Sequence, residues 1–405
     1  MSVTGEAYLN VPQPPATGGV GPGARAAEPQ ANVVADDQSQ QLPLCTELVP
    51  DPNAAPDEQV FCRGGESMSN QSRALDGDSW TTALQPYCND LPERQWAGNR
   101  SYECMWRKDF AFIASKQTGE PIGEVQYVQE HELRTTWNSK TWNGRSAIHI
   151  LHAFGAGTTA VYGGSVTCSS NTGCTPGGET GIHSLPMTTS TSIMDYTVDS
   201  PVLGAGQQQS FSVQAKFDFT SSEANPPKTY SPTGIFPVVR CDADGNGKQG
   251  CVVPAAEPIL NMGTRGVPSH AQHIRNGQAS GLPGAPGGTP LTRSSDPTRN
   301  QSNRDSSCNK IPGPRPSGID CDEYPFATTY EGGAGGGPAR TYNNCSVGQP
   351  GWVQQLDANN ISFVSSNGIS MCLISRADNR RGGGITTWFF RKNRLLDGEK
   401  FYVQG

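Results

Sequence analysis

The chain carries little charge and few large apolar runs for its length. Of 405 residues, 17% are Asp, Glu, Lys or Arg and 34% are apolar. No stretch approaches about 18 consecutive apolar residues, which excludes a helical membrane span. There is no Cys-x-x-Cys pair and no Cys/His cluster at zinc spacing, so a structural zinc site is excluded. The Gly-x-Ser-x-Gly elbow of a serine hydrolase is missing too. The opening residues, MSVTGEAYLNVPQPPATGG, have neither the basic start nor the apolar centre of a signal peptide.

What is present points to strands and loops. The 48 glycines and 32 prolines make up about a fifth of the chain, a composition that argues against helical bundles. Twelve cysteines fall in pairs close in sequence: 45/62, 88/104, 168/174, 241/251, 308/321 and 345/372. Six local disulfides are the expectation, and with them an oxidising, extracellular location. Connectivity itself does not follow from the spacing. A secreted protein with no visible signal leaves its export route open.

The net charge of −7 is unevenly spread. Residues 1–104 hold 5 basic and 14 acidic side chains, whereas residues 301–405 hold 11 and 9. An acidic total weakens non-specific attraction to a polyanion, so any contact with nucleic acid must be local.

The order of segments suggests four parts. Residues 1–44, rich in Pro, Gly, Ala and Gln, read as a disordered arm that cannot bury enough surface to offset its ordering entropy. Residues 45–104 read as a cysteine-containing lead-in. Residues 105–255 hold short runs such as Phe110–Ala114, Glu124–Val128, Ala147–Leu151, Thr159–Tyr162 and Phe211–Phe219, separated by Gly, Pro or Asn. They predict a β-sandwich-like domain in which His149 and His152 are structural. The stretch Asp242-Ala243-Asp244-Gly245-Asn246-Gly247 imitates half of a calcium loop, but Val253 stands where the bidentate Glu belongs, so a turn is expected there and not a Ca²⁺ site.

Residues 256–405 carry the chemistry. In Asp322-Glu323-Tyr324-Pro325-Phe326-Ala327 two acids sit side by side: either a surface turn with solvated acids, or a pair whose repulsion a metal or a proton-transfer task offsets. Ile361–Val364 and Ile369–Ile374 flank an Asn-Gly turn and predict a hairpin. A helix follows, with Ile385, Trp388, Phe389 and Leu396 expected on one face.

The segments DEYPFA (322–327), EGG (331–333), DNRRGGG (378–384) and LLDGEKFYV (395–403), with His273-Ile274 before them, resemble the NucA/NucB family of secreted bacterial deoxyribonucleases. The family form has DNRG where this chain has DNRR. The strand, strand, helix order resembles His-Me finger nucleases. These resemblances imply an α+β, mostly β chain: a disulfide-bearing β-sandwich-like domain, then a small ββα-metal nuclease domain over residues 256–405. The implied function is metal-dependent, sequence-nonspecific endonuclease action on DNA with one Mg²⁺ or Mn²⁺ ion. Asp322 is the implied base. Glu323 lies on the opposite face of the strand and contacts the metal through water or serves structure. Asn379 is the implied metal ligand, with Glu331 second. Arg380 and Arg381 are candidate phosphate contacts, and His273 a candidate for protonating the leaving oxygen. The alternatives are a toxin or effector whose residues 1–255 deliver the nuclease, with an immunity protein as partner, or a non-catalytic protein whose β-domain binds cell wall or glycan.

Overall fold

The computed structural model describes residues 42–63, 88, 94, 96–168, 173–178, 181–187, 191–225, 227–345 and 351–405. The arm expected at residues 1–44 lies outside them, apart from its last three residues, as does most of 64–95.

Among the described residues, fifteen strands occupy residues 59–252. They are β1 (Gln59–Cys62), β2 (Ala97–Asn99), β3 (Tyr102–Ser115), β4 (Pro121–Arg134), β5 (Thr141–Gly155), β6 (Val161–Cys168), β7 (Thr175–Gly178) and β8 (Gly181–Pro186). Then follow β9 (Thr191–Asp199), β10 (Gln208–Phe211), β11 (Val213–Ser221), β12 (Lys228–Tyr230), β13 (Thr233–Ile235), β14 (Val239–Ala243) and β15 (Gln249–Val252). A large sheet runs β1-β3-β4-β5-β9-β7, with β2 on β3; a second runs β12-β11-β6-β8, with β13 on β11; β10, β14 and β15 form a third. The alternation read in the sequence is visible in β11, where every second residue from Val213 to Ser221 is buried. Both large sheets feed one apolar cluster that includes Tyr127, Trp142, Ile148, Tyr162, Phe217 and Phe219.

The lead-in does not stand apart from this cluster. Phe61, paired with Ile113 across β1 and β3, and Trp96 both belong to it. Two of the histidines are tied into the fold: His131 bonds Ser146 at 2.9 Å, with burial pushing it down to about 3, and His149 bonds Glu130 at 2.7 Å. All six disulfides pair as the spacing suggests, and no cysteine is free among the described residues.

The C-terminal part adds β16 (Ile259–Asn261), α1 (Pro268–Ala279), β17 (Leu291–Thr292), α2 (Pro297–Asp305), β18 (Ile319–Tyr324), β19 (Ala339–Tyr342), β20 (Val353–Leu356), β21 (Ile369–Ser375), α3 (Arg376–Lys392) and β22 (Lys400–Gln404). These three α-helices among the described residues leave the chain mostly β. The site rests on the sheet β18-β21-β19-β20, in which β18 and β21 are antiparallel and the other pairs parallel. Helices α1 and α3 pack against β18 and β21.

Two expectations need correction here. The hairpin does not form: β21 takes β18 as its antiparallel partner, with Asp322 opposite Cys372, and residues 361–364 form no strand. The amides of Val364 and Ser365 reach Ser280 O instead. The Asn-Gly signal marks a different turn. Gly368, at φ 102°, lets the chain pass so close to Pro338 that a Cβ would stand 2.2 Å from its carbonyl oxygen. Of the expected face of α3, Ile385 and Phe389 pack against the core, but the buried positions are Gly382, Thr386 and Phe390; Trp388 is 51% exposed and Leu396 lies beyond the helix.

Candidate active site

Strand β18 alternates, so Asp322 and Tyr324 point toward α1 while Glu323 points to the other side. Helix α1 begins with Pro268 at its first position, where a missing N–H costs nothing. Its free Ser269 N–H, and the Ser269 hydroxyl, are taken by Asp378 Oδ2 at 2.9 and 2.7 Å. The aspartate of the DNRR segment thus caps another helix and fixes α1 to α3.

That cap places two histidines, three residues apart on one helix face, against β18. His273 Nδ1–H donates to Asp322 Oδ2 at 2.8 Å, since a carboxylate only accepts. Its Nε2 lies 3.0 Å from Ser370 Oγ, which is 3.1 Å from Tyr324 O. The His273 side chain is wholly buried behind Asp322 and does not line the cleft; it holds the carboxylate from that side. His270 Nε2 stands 4.0 Å from the same oxygen, too far for a hydrogen bond. The residue is 3% exposed and neither ring nitrogen has a partner. Gly382 makes room for it: a Cβ there would stand 2.1 Å from His270 Nδ1.

Asn379, in the first turn of α3, donates from Nδ2 to Cys321 O at 3.1 Å, which brings it beside Asp322. Asp322, Glu323, His270 and Asn379 all line one cleft of about 1220 Å³. The two acids are pushed apart. Burial alone would raise Asp322, but His270 and His273 outweigh it and hold the carboxyl below its usual range. Glu323 goes up because of burial, and Asp322 adds to this against the Ser307 hydroxyl and Arg304.

Other residues singled out in the sequence fall elsewhere. Glu331 Oε2 accepts from Thr292 N at 2.9 Å, away from the cleft. Arg380 is 3.5 Å from Asp320 and 73% exposed at its side chain; Arg381 lies beside Gly266, and neither arginine lines the cleft. The arginines that do are Arg293, Arg304, Arg391 and Arg394. Asp242 is held by Arg240 and Arg394, and Asp244 Oδ1 accepts from Asn246 N and Lys248 N within its turn. The sequence reading missed His270, although its repeat three residues before His273 was the available signal.

Residues 283–354 match the family model of deoxyribonuclease NucA/NucB. The match covers under a fifth of the chain and takes in Asp322 and Glu323. No curated protein matches the chain. A NucA/NucB region supports a nuclease, a hydrolase with DNA as substrate, and together with six disulfides it supports an extracellular protein. No helix among the described residues is long and apolar enough to cross a membrane.

Proposed function

We propose that the protein is a metal-dependent, sequence-nonspecific endodeoxyribonuclease working in the cleft lined by Asp322, Glu323, His270 and Asn379. The observation that carries the reading is His270: a buried ring with two unpartnered nitrogens, facing a carboxylate inside a NucA/NucB region. Leaving such polar atoms unsatisfied is costly, and a bound ion or water removes that cost.

No group of three or more His, Cys, Asp and Glu side chains among the described residues is arranged to hold a metal by itself. A divalent ion nevertheless fits the donor set of His270 and the Asn379 amide oxygen, completed by water. An imidazole in that set favours Mn²⁺ over Mg²⁺. When bound, such an ion neutralises charge on the phosphate.

The chain's own residues supply the proton chemistry. Asp322, ionised and oriented by His273, takes a proton from water. The water oxygen bonds to phosphorus as the bond to the leaving sugar oxygen breaks. Glu323, which keeps its proton to higher pH, returns a proton to that oxygen. Arg293 and Arg304 meet the phosphates along the cleft. Nothing in this set reads a base edge, which accords with cleavage irrespective of sequence. No observation in the fold favours the delivery or glycan-binding alternatives.

Plasmid degradation by the purified protein, with EDTA and then with Mn²⁺ or Mg²⁺ restored, tests the reading. Loss in EDTA and recovery with metal are expected; undiminished cutting in EDTA, or no cutting under any condition, refutes it.

A further inference from the structure

The cleft is not built by the C-terminal part alone. Its opposite wall is Gly206, Gln208 and the β14–β15 turn, Asp242 to Asn246. The two parts are locked there by buried charge: Arg394 donates to Asp242 Oδ1 at 2.8 Å and to Trp137 O at 2.7 Å, while Arg100 and Arg240 both bind Glu399. Trp137, in the loop between β4 and β5, is therefore tied through its carbonyl to Arg394, which lines the cleft.

Next to this lining, around Arg391, stand two aromatic rings and a second cation. Trp388 of α3 meets Trp137 edge-on, with ring centroids 5.2 Å apart. Lys248 Nζ and Arg391 Cζ lie 5.3 and 5.7 Å from the Trp137 centroid. Asp244 accepts hydrogen bonds within its own turn, and Arg391 is close enough to help hold that carboxyl below its usual range. Trp388 keeps half its surface in solvent, although Thr387 and Arg391 on either side of it line the cleft. A half-bare indole beside two cations, next to a cleft for polyanions, has the composition of a single-strand binding platform.

We infer that Trp388, held by Trp137 and flanked by Arg391 and Lys248, stacks an unpaired base of the DNA whose backbone is cut at Asp322. This rests on the nuclease reading and adds the substrate form: single-stranded or locally opened DNA. The distance suits it. From Asn379 to Trp388 α3 rises ~13 Å, room for a few unpaired nucleotides. The N-terminal β-region thereby becomes part of the substrate site, through Trp137 and Lys248.

The full chain with Asp322→Asn serves for binding without cutting, probed with a thymidylate dodecamer and a blunt duplex of equal length. Fluorescence anisotropy should show the single strand bound more tightly at equal salt. Adding Trp388→Ala should weaken that binding about tenfold or more while changing duplex binding little; Trp388→Phe should restore most of it. Equal single-strand affinity with and without Trp388 overturns the platform. Should Trp388→Ala lower the melting temperature, photocrosslinking of an iododeoxyuridine dodecamer to the Asp322→Asn protein decides: the crosslink falls on the Trp388 peptide, or the inference is wrong. Plasmid cleavage by the unaltered protein is scored separately, so failure of the platform and failure of the nuclease reading give different results.

Discussion

His270 Nε2 stands 4.0 Å from Asp322 Oδ2, and neither nitrogen of that buried ring is hydrogen-bonded. Three elements create this gap. Asp378 anchors the start of α1, Gly382 gives the ring its space, and His273 holds the carboxylate in place from behind.

The first prediction concerns metal. Replacing His270 with Ala should weaken Mn²⁺ binding at least about tenfold, read by the electron paramagnetic resonance of free Mn²⁺. Asn379→Ala should do the same, and activity of both variants should recover partly at high metal. Gly382→Ala should mimic them by pushing the ring aside. Unchanged Mn²⁺ binding in His270→Ala would remove the residue from the metal site.

A second prediction separates the acids. Asp322→Asn should lower the cleavage rate about 10²–10⁴-fold with no rescue by added metal, because the proton acceptor is gone. Glu323→Gln should slow plasmid cleavage but affect a nitrophenyl phosphodiester much less, since nitrophenolate leaves without a proton. If both substrates suffer equally, Glu323 is not the acid.

Part of this site was legible in the sequence because its information is local. The acids of β18, the cysteine pairs and the strand alternation of β11 can all be read within a few residues. What could not be read depends on pairing between distant segments. Ile369–Ile374 was assigned to its nearest apolar neighbour, yet Ile319–Tyr324 won it, since that pairing buries the acid-bearing strand between α1 and α3. Arg380 and Arg381 looked like phosphate contacts by charge alone; helix phase carries Arg381 away from the cleft, while Arg380, which shares the phase of Arg391 three turns on, leans to Asp320 at the start of α3. Asp378, in a segment that resembled a metal motif, is spent on a helix cap.

That cap gives the third prediction. Asp378→Ala should cost about 1 kcal/mol of stability, the usual worth of a helix N-cap, measured by chemical denaturation. Activity at a temperature where the variant is fully folded should still fall, because α1 carries both histidines. Asp378→Asn, which can still accept from the Ser269 amide, should keep most of both. A variant that loses stability but keeps full activity would show that α1 needs no anchor at α3.

The last prediction lies in the β-region. Glu103, in β3, is 4% exposed, its Oε2 has no partner among the described residues, and burial pushes its carboxyl up to about 8 from the usual 4.5. A carboxyl raised in the fold favours its protonated form there. Its contribution is therefore complete below about pH 4.5 and is lost as pH rises toward 8, at about 1.4 kcal/mol per unit. Across that window the loss is on the order of 5 kcal/mol. Glu103→Gln keeps the shape of the protonated acid and cannot ionise. Its melting temperature should match the unaltered protein near pH 4.5, rise above it progressively between pH 5 and 8, and keep a constant lead beyond. Two melting curves that run parallel across this range would mean that Glu103 ionises without penalty, through a partner or water reaching Oε2.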